Sequence, residues 1–313
     1  MTSLVALDLD SLSLTGAIPR EIGWLSNLEG LGLNNNALSS SLPTELGLLT
    51  KLYWSFNLYR NALTGSIPSH FGQFTNLQSF KVHDNFLSGS LPSEIGLLAT
   101  LEYLDVGSNQ LSGSLPSHLG LLTGLKWLEC ADNSLSSAIP SEIAGLTSLE
   151  RLDLASNQLR DALPSTLGLL AKLEWMDLSS NVLSSVLPGE LGMLDSLKEL
   201  FLDSNQFTGS VPFDWSGMTA LRVLGLSDLP LLSGSLPVEL GWMASMYNLS
   251  WLNMSATSNL HGVLPEDLCH LANNEACNYT LSGSPFENPK DCVLEFDCTE
   301  SLCGCDCNCT AVV

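Results

Sequence analysis

The sequence is short of positive charge. Its 313 residues include 11 Lys and Arg against 33 Asp and Glu, which gives a formal net charge of -22 at pH 7. Nucleic acids and anionic membranes are bound through patches of basic side chains, so the composition excludes both as partners. A strongly acidic surface leaves two interpretations open: it attracts a cationic partner, or it keeps the protein soluble.

Long apolar runs are missing as well. No stretch of about 18 apolar residues occurs, so the sequence predicts no membrane span. The first residues, Met1-Thr2-Ser3, have neither the basic region nor the apolar core of a secretory signal.

No catalytic constellation is recognisable. Nucleophilic catalysis needs a base within hydrogen-bond reach of its nucleophile. Of the five histidines, only His83 occupies an outward slot of a predicted strand, next to Asp84 and near Lys81, which indicates an ionic cluster. The glycines stand at repeat positions such as Gly89 and form no phosphate-binding loop. We therefore expect neither an enzyme nor a cofactor.

What the chain has in abundance is leucine at a fixed spacing. Residues 149–159 read LERLDLASNQL, and Leu163-Pro164 and Leu167-Gly168 follow. The same LxxLxLxxN pattern starts 24 residues earlier at Leu125 and 24 residues later at Leu173. A period of this length indicates an array of stacked structural units.

The pattern resembles the leucine-rich repeat, and its LxGxIP half resembles the plant-type subclass of extracellular receptor and inhibitor domains. The resemblance covers residues 4–268. It implies an α/β fold: a right-handed solenoid with a concave parallel β-sheet and short 3-10 or helical segments on the convex side. It specifies no ligand, because one scaffold serves many partners.

Two regions are predicted. Residues 1–268 form an array of about eleven 24-residue units, each with one strand, an asparagine that bonds to neighbouring backbone, and a proline that starts the convex segment. Met1-Thr2-Ser3-Leu4 aligns with Leu146-Thr147-Ser148-Leu149, so the N-terminal cap of the array is expected to be missing. Residues 269–313 form a Cys-rich C-terminal cap or tail.

The cysteines cluster at one end, which indicates disulfides formed in an oxidising compartment. The candidates are Cys269, Cys277, Cys292, Cys298, Cys303, Cys305, Cys307 and Cys309. The resemblance implies that Cys269 and Cys277 are the capping pair of the array. A thiolate metal site at the tail fits less well, since zinc sites usually space their cysteines by about two to four residues. The ninth cysteine, Cys130, takes a leucine slot and is expected to be buried and unpaired.

Four Asn-x-Ser/Thr sequons lie in the last quarter of the chain, beside the cysteines, and predict a glycoprotein. Their asparagines are Asn248, Asn253, Asn278 and Asn308. Together with the disulfide candidates, they favour an extracellular or cell-surface location.

The predicted concave face carries the strongest functional signal. Three aromatic residues and an arginine occupy one outward slot on four successive strands, and four acids occupy the neighbouring slot. These ligand-binding candidates are Tyr103, Trp127, Arg151 and Trp175, with Asp105, Glu129, Asp153 and Asp177. Strands lie about 4.8 Å apart, so each set is expected to form a row. Exposed Trp and Tyr are enriched at binding hot spots, although the acids could simply solubilise the face while Arg151 relieves their repulsion.

The sequence therefore predicts extracellular recognition of a protein or peptide, one with apolar anchors and net positive charge, in a receptor-like protein. Two alternatives remain open. One is a secreted inhibitor of extracellular enzymes, similar to the polygalacturonase-inhibiting leucine-rich-repeat proteins. The other is a structural cell-wall or adhesion protein.

Overall fold

The computed structural model describes residues 3–239, 249, 251–257 and 259–260, and the backbone of a strand at Asn278–Thr280. The chain divides into two compact units, Met1–Leu159 and Arg160–Val313. The predicted boundary between residues 268 and 269 lies outside the described residues and stays a prediction.

The first unit contains a parallel sheet, the major sheet, with one three-residue strand from each repeat. Neighbouring strands pair residue for residue, as Tyr103 does with Trp127 and Trp127 with Arg151. In pairing order the strands are β1 (Ala6–Asp8), β3 (Gly30–Gly32), β5 (Ser55–Asn57), β7 (Ser79–Lys81), β9 (Tyr103–Asp105), β11 (Trp127–Glu129) and β13 (Arg151–Asp153).

A five-residue 3-10 helix follows in each return segment. Each helix begins after a proline, for example Pro43 with φ of -64° and Pro116 with φ of -70°. Proline suits this position because its ring fixes φ and it has no N–H to leave unpaired. The helices are η1 (Arg20–Trp24), η2 (Thr44–Leu48), η3 (Ser69–Gln73), η4 (Ser93–Leu97), η5 (Ser117–Leu121) and η6 (Ser141–Gly145).

The prediction of one strand per repeat is confirmed for the major sheet, but each repeat of the first unit also contributes a second strand to a minor sheet that was not predicted. Its strands pair in chain order: β2 (Thr15–Ala17), β4 (Ala37–Ser41), β6 (Ala62–Gly65), β8 (Phe86–Gly89), β10 (Gln110–Gly113), β12 (Ser134–Ser137) and β14 (Gln158–Asp161). Gly65 and Gly89 end such strands with φ of 75° and 78°. These segments are rich in Ser and Gly and lack apolar alternation, so the periodicity did not reveal them.

The core lies between the two sheets and the helices. The middle residues of the major-sheet strands, such as Leu104, Leu128 and Leu152, are fully buried, as predicted. Where phenylalanine replaces leucine, the rings pack together: Phe56 lies 5.2 Å from Phe71, centroid to centroid, and 5.3 Å from Phe80.

The predicted asparagine column is confirmed in the first unit. Asn85 donates to the carbonyl oxygens of Leu58, Val82 and His83 at 3.1, 3.0 and 3.2 Å, and its own oxygen accepts from the Leu63 N–H at 3.0 Å. One buried amide therefore satisfies four backbone groups from adjacent repeats, which removes the cost of burying them unpaired. The corresponding residues are Asn36, Asn61, Asn109, Asn133 and Asn157.

The second unit repeats this architecture. Its major-sheet strands are β15 (Trp175–Asp177), β17 (Glu199–Phe201), β19 (Val223–Gly225), β21 (Trp251–Asn253) and β23 (Asn278–Thr280). The end of β14 pairs with β16 (Val182–Val186), which pairs with β18 (Gln206–Thr208), and β20 (Ser233–Gly234) pairs with β22 (Asn259–Leu260). The helices are η7 (Ser165–Leu169), η8 (Gly189–Met193) and η9 (Phe213–Gly217). Parallel strands alternating with 3-10 helices confirm the predicted solenoid class.

Candidate ligand-binding surface

Strands β9, β11 and β13 bring six of the eight predicted ligand-binding residues together in the first unit. Tyr103, Trp127 and Arg151 lie side by side in one register position. Asp105, Glu129 and Asp153 lie side by side two residues further along. All six alternate with buried leucines, so they point to the outer face of the major sheet.

The aromatic part of this face is a Tyr–Trp pair. The rings of Tyr103 and Trp127 have centroids 5.3 Å apart and planes at 86°. Such edge-to-face packing is one of the favoured aromatic geometries. Trp127 nevertheless keeps 41% of its surface exposed, so a large apolar surface stays open to a partner.

A small hollow opens beside this pair, and we call it the aromatic hollow. It is lined by Lys81, Tyr103, Leu104, Asp105, Trp127 and Glu129. The ammonium group of Lys81 lies 5.8 Å from the Tyr103 ring centroid, within cation–π range. The hollow thus combines an aromatic wall, a carboxylate wall and one intrinsic cation.

Arg151 forms ion pairs with two carboxylates of the acidic row, which consists of Asp105, Glu129 and Asp153. Its Nε lies 2.7 Å from Glu129 Oε1, and its Nη2 lies 3.6 Å from Asp153 Oδ2. One guanidinium therefore neutralises part of the repulsion between two carboxylates, as the solubility interpretation expects. A second pair borders the face, where Lys126 Nζ lies 2.7 Å from Glu102 Oε2. This hydrogen bond to Glu102 raises the pKa of Lys126.

His83 links the acidic row to a polar chain that the sequence did not predict. Its Nδ1 lies 2.7 Å from Asp105 Oδ2, and its ring stacks on Tyr59 at 4.4 Å between centroids. With its amide nitrogen facing the Asp10 carboxylate, Asn34 donates to both carboxylate oxygens at 2.7 Å and accepts from the Tyr59 hydroxyl at 3.2 Å. Burial raises the pKa of Asp10. Asp10, Asn34, Tyr59 and His83 share one position in the repeat, directly after its third leucine slot. A polar or aromatic residue at that position in successive repeats is the sequence signal that could have revealed the chain.

The two remaining predicted residues, Trp175 and Asp177, lie in β15 of the second unit. There Trp175 neighbours Phe201, with ring centroids 6.1 Å apart, and Phe201 neighbours Trp251 at the same distance. Phe201 was missed because it stands in the slot that carries an acid in the four preceding repeats.

The predicted modification sites are only partly covered by the structure. All eight disulfide candidates, Asn248 and Asn308 lie outside the described residues. Asn253 lies in β21, and its side-chain oxygen accepts hydrogen bonds from the N–H and Oγ of Ser255 at 3.1 and 2.9 Å. Asn278 begins β23. Cys130 is buried and free, as predicted, and burial raises the pKa of its thiol far above the ordinary value.

Among the described residues, His, Cys, Asp and Glu form no group of three that could hold a metal ion. Within that same portion, no helix combines the length and the apolar character needed to cross a bilayer.

Comparison with known proteins assigns the family. The model of the leucine-rich repeat region matches residues 84–276. The chain belongs to the leucine-rich repeat family. No curated protein sequence matches this leucine-rich repeat chain.

Solved structures extend the similarity to plant receptors. The Arabidopsis receptor kinase HAESA, in complex with the peptide hormone IDA and the co-receptor SERK1, is 34% identical with a TM-score of 0.83, over 91% of this chain and 46% of that one. A TDR receptor is 30% identical with a TM-score of 0.65, over 91% and 56%. The plant peptide hormone receptor RGFR1, in complex with RGF2, is 29% identical with a TM-score of 0.64, over 91% and 56%. The chain spans about half the length of these receptors.

Proposed function

We propose that this leucine-rich repeat protein recognises a cationic peptide segment outside the cell, through the outer face of its major sheet. The observation that carries the proposal is the aromatic hollow, where the Tyr103–Trp127 pair stands beside Asp105 and Glu129. An exposed aromatic pair bordered by carboxylates is complementary to a side chain that is both flat and positively charged.

Arg or Lys of the ligand fits this chemistry. A guanidinium or ammonium group gains cation–π attraction over the face of Trp or Tyr, and Lys81 already approaches Tyr103 in this way. Carboxylates next to the rings add charge-assisted hydrogen bonds. The chain's net charge of -22 would also speed the encounter with a basic ligand.

The comparisons support a peptide as the ligand class. HAESA was solved with the peptide hormone IDA, and RGFR1 with RGF2. The aromatic hollow is confined to three neighbouring strands, which favours a narrow peptide segment over the broad surface of a secreted enzyme. The proposal also includes a receptor role with a co-receptor and a signalling domain, as the likeness to HAESA suggests. This role is proposed and not observed, because the chain spans about half of that receptor.

Selection from a random dodecapeptide library displayed on phage tests the proposal with the full chain as bait. Enriched peptides are then synthesised, and their affinities are measured by calorimetry. We expect enrichment of Arg or Lys next to aromatic or aliphatic residues, and weaker binding to the Trp127→Ala chain. Trp24→Ala is the matched control, since Trp24 is 59% exposed on η1, away from the major sheet. Selected peptides without positive charge, or equal affinity for Trp127→Ala and wild type, would refute the proposal.

A further inference from the structure

The second unit carries an aromatic cluster of its own on the major sheet. It consists of Trp175 in β15, Phe201 in β17 and Trp251 in β21. The Phe201 centroid lies 6.1 Å from each tryptophan ring centroid, and both interplanar angles are 55°. Phe201 is therefore the centre of a symmetric arrangement with one indole on each side.

A glycine and a carboxylate border this cluster on one side. Phe201 pairs with Gly225, so β19 places no side chain directly beside Phe201, while Trp251 pairs with Val223 two residues earlier on β19. A Cβ atom on Gly225 would clash with the Asp203 carboxylate. Asp203 is held in place because its Oδ1 accepts from the N–H and Oγ of Ser227 at 2.7 and 2.6 Å. The Asp203 carboxylate thus occupies the space that a side chain at position 225 would fill, next to Phe201.

The three rings do not belong to the core. On the same strands Met176, Leu200 and Leu252 point inward and are almost completely buried, whereas the cluster residues point outward and are half-buried. Half-exposed Trp and Phe side chains keep apolar surface in water, and contiguous surfaces of this kind mark interaction sites. Aromatic residues grouped in this way are typical of binding hot spots.

Acids surround the cluster. Glu199 lies in register between Trp175 and Val223, and Asp177 lies in register with Phe201. Asp203 follows two residues after Phe201. Lys198 Nζ is engaged by Glu174 at 2.6 Å. A partner that presents an apolar side chain here therefore meets carboxylates on the flanking positions, and positive charge next to its apolar anchor is complementary.

We propose that the Trp175–Phe201–Trp251 cluster holds one large apolar side chain, aromatic or branched aliphatic, of a peptide whose neighbouring residues are Lys or Arg. This inference rests on the proposed function, because it identifies a second contact of the same ligand class. It is separable from the aromatic hollow, since the two surfaces use different residues.

Three capped synthetic pentapeptides test this assignment: Lys-Lys-Xaa-Lys-Lys with Phe, Leu or Ser as Xaa. Their affinities for the full chain are measured by calorimetry at an ionic strength of about 0.15 M, where long-range attraction is screened. We expect the Phe and Leu peptides to bind wild type about five- to tenfold more tightly than the Ser peptide, as burial of an apolar side chain predicts. Phe201→Ser and Trp251→Ser should abolish this preference. Phe213→Ser, which removes a 64% exposed Phe from η9, should retain it.

An unchanged preference for Phe over Ser in both Phe201→Ser and Trp251→Ser overturns the inference, and circular dichroism melts verify that these variants are folded. If Trp127→Ala then still weakens all three peptides alike, the proposed function survives without the second contact. If wild type binds none of the three peptides, the result overturns both the role of the Trp175–Phe201–Trp251 cluster and the proposal that the ligand is cationic.

Discussion

Tyr103 and Trp127 meet ring to ring at 86°, with centroids 5.3 Å apart, on two neighbouring strands of one sheet. A contact of this geometry adds about 0.5–1.5 kcal/mol beyond simple burial. It orients Trp127 while 41% of its surface stays exposed. The protein therefore presents a preorganised aromatic surface, and preorganisation reduces the entropy that a ligand must overcome.

Replacing the exposed indole should weaken binding without unfolding the chain. Trp127→Ala is expected to lower the affinity for a library-selected cationic peptide by about tenfold or more, because hot-spot aromatics commonly contribute about 2 kcal/mol. The melting temperature should change little, since the core leucines are untouched. Calorimetric titration gives the affinity, and Trp24→Ala should bind like wild type. An equal loss of affinity in Trp127→Ala and Trp24→Ala would contradict a specific contact between Trp127 and the peptide.

Removing Arg151 should strengthen the binding of cationic peptides. Arg151 Nε lies 2.7 Å from Glu129 Oε1, so Arg151→Ala exposes a carboxylate at the edge of the aromatic hollow. We expect about a two- to fivefold gain in affinity and a steeper decrease with added salt. Calorimetric titrations at several salt concentrations measure the affinity and its dependence on salt. A loss of affinity would show instead that Arg151 contacts the ligand itself.

The asparagine column should be essential for stability. Asn85→Ala leaves the Leu63 N–H and three carbonyl groups without their side-chain partner. We expect the free energy of unfolding to fall by about 2–4 kcal/mol, because unsatisfied buried groups lose their full solvation. Urea denaturation measures it. The exposed Asn76 is the control: its change to Ala should cost less than about 0.5 kcal/mol. Equal losses would contradict the assigned role.

Two leucines of the same repeat should differ sharply. Leu104 is fully buried under the aromatic hollow, whereas Leu121 at the end of η5 is 59% exposed. Leu104→Ala is expected to lower the free energy of unfolding by about 2–5 kcal/mol through lost burial and the remaining cavity. Leu121→Ala should lie within about 0.5 kcal/mol of wild type. Similar melting temperatures for both variants would contradict the burial pattern.

Cys130 should make stability depend on alkaline pH. Burial raises the pKa of its thiol in the folded state, so the unfolded chain loses this proton first, near pH 8.5. Stability from this group is therefore complete below about pH 8.5 and falls above it by up to about 1.4 kcal/mol per pH unit. Urea denaturation from pH 7 to 10, compared with Cys130→Ala, isolates the effect. Parallel pH profiles for the two chains would exclude it.

Much of the candidate surface was predictable. The 24-residue period and strict alternation are sufficient to align Tyr103, Trp127 and Arg151 on one face, because every repeat adopts the same register. The polar chain from Asp10 through Tyr59 to His83 was not predicted. Its members differ in chemistry from repeat to repeat, and contact between them depends on side-chain rotamers.

The repeat, the inward leucines, the asparagine column and the outward row that begins at Tyr103 all follow from the spacing of residues along the chain. Period and hydrophobicity act locally and identically in each unit, so spacing alone specifies them. Tertiary structure alone decided which outward residues touch: Arg151 with Glu129, and Phe201 with Trp175 and Trp251. Those contacts join residues 22 to 50 positions apart on different strands, and they depend on side-chain rotamers that only the packed strands define.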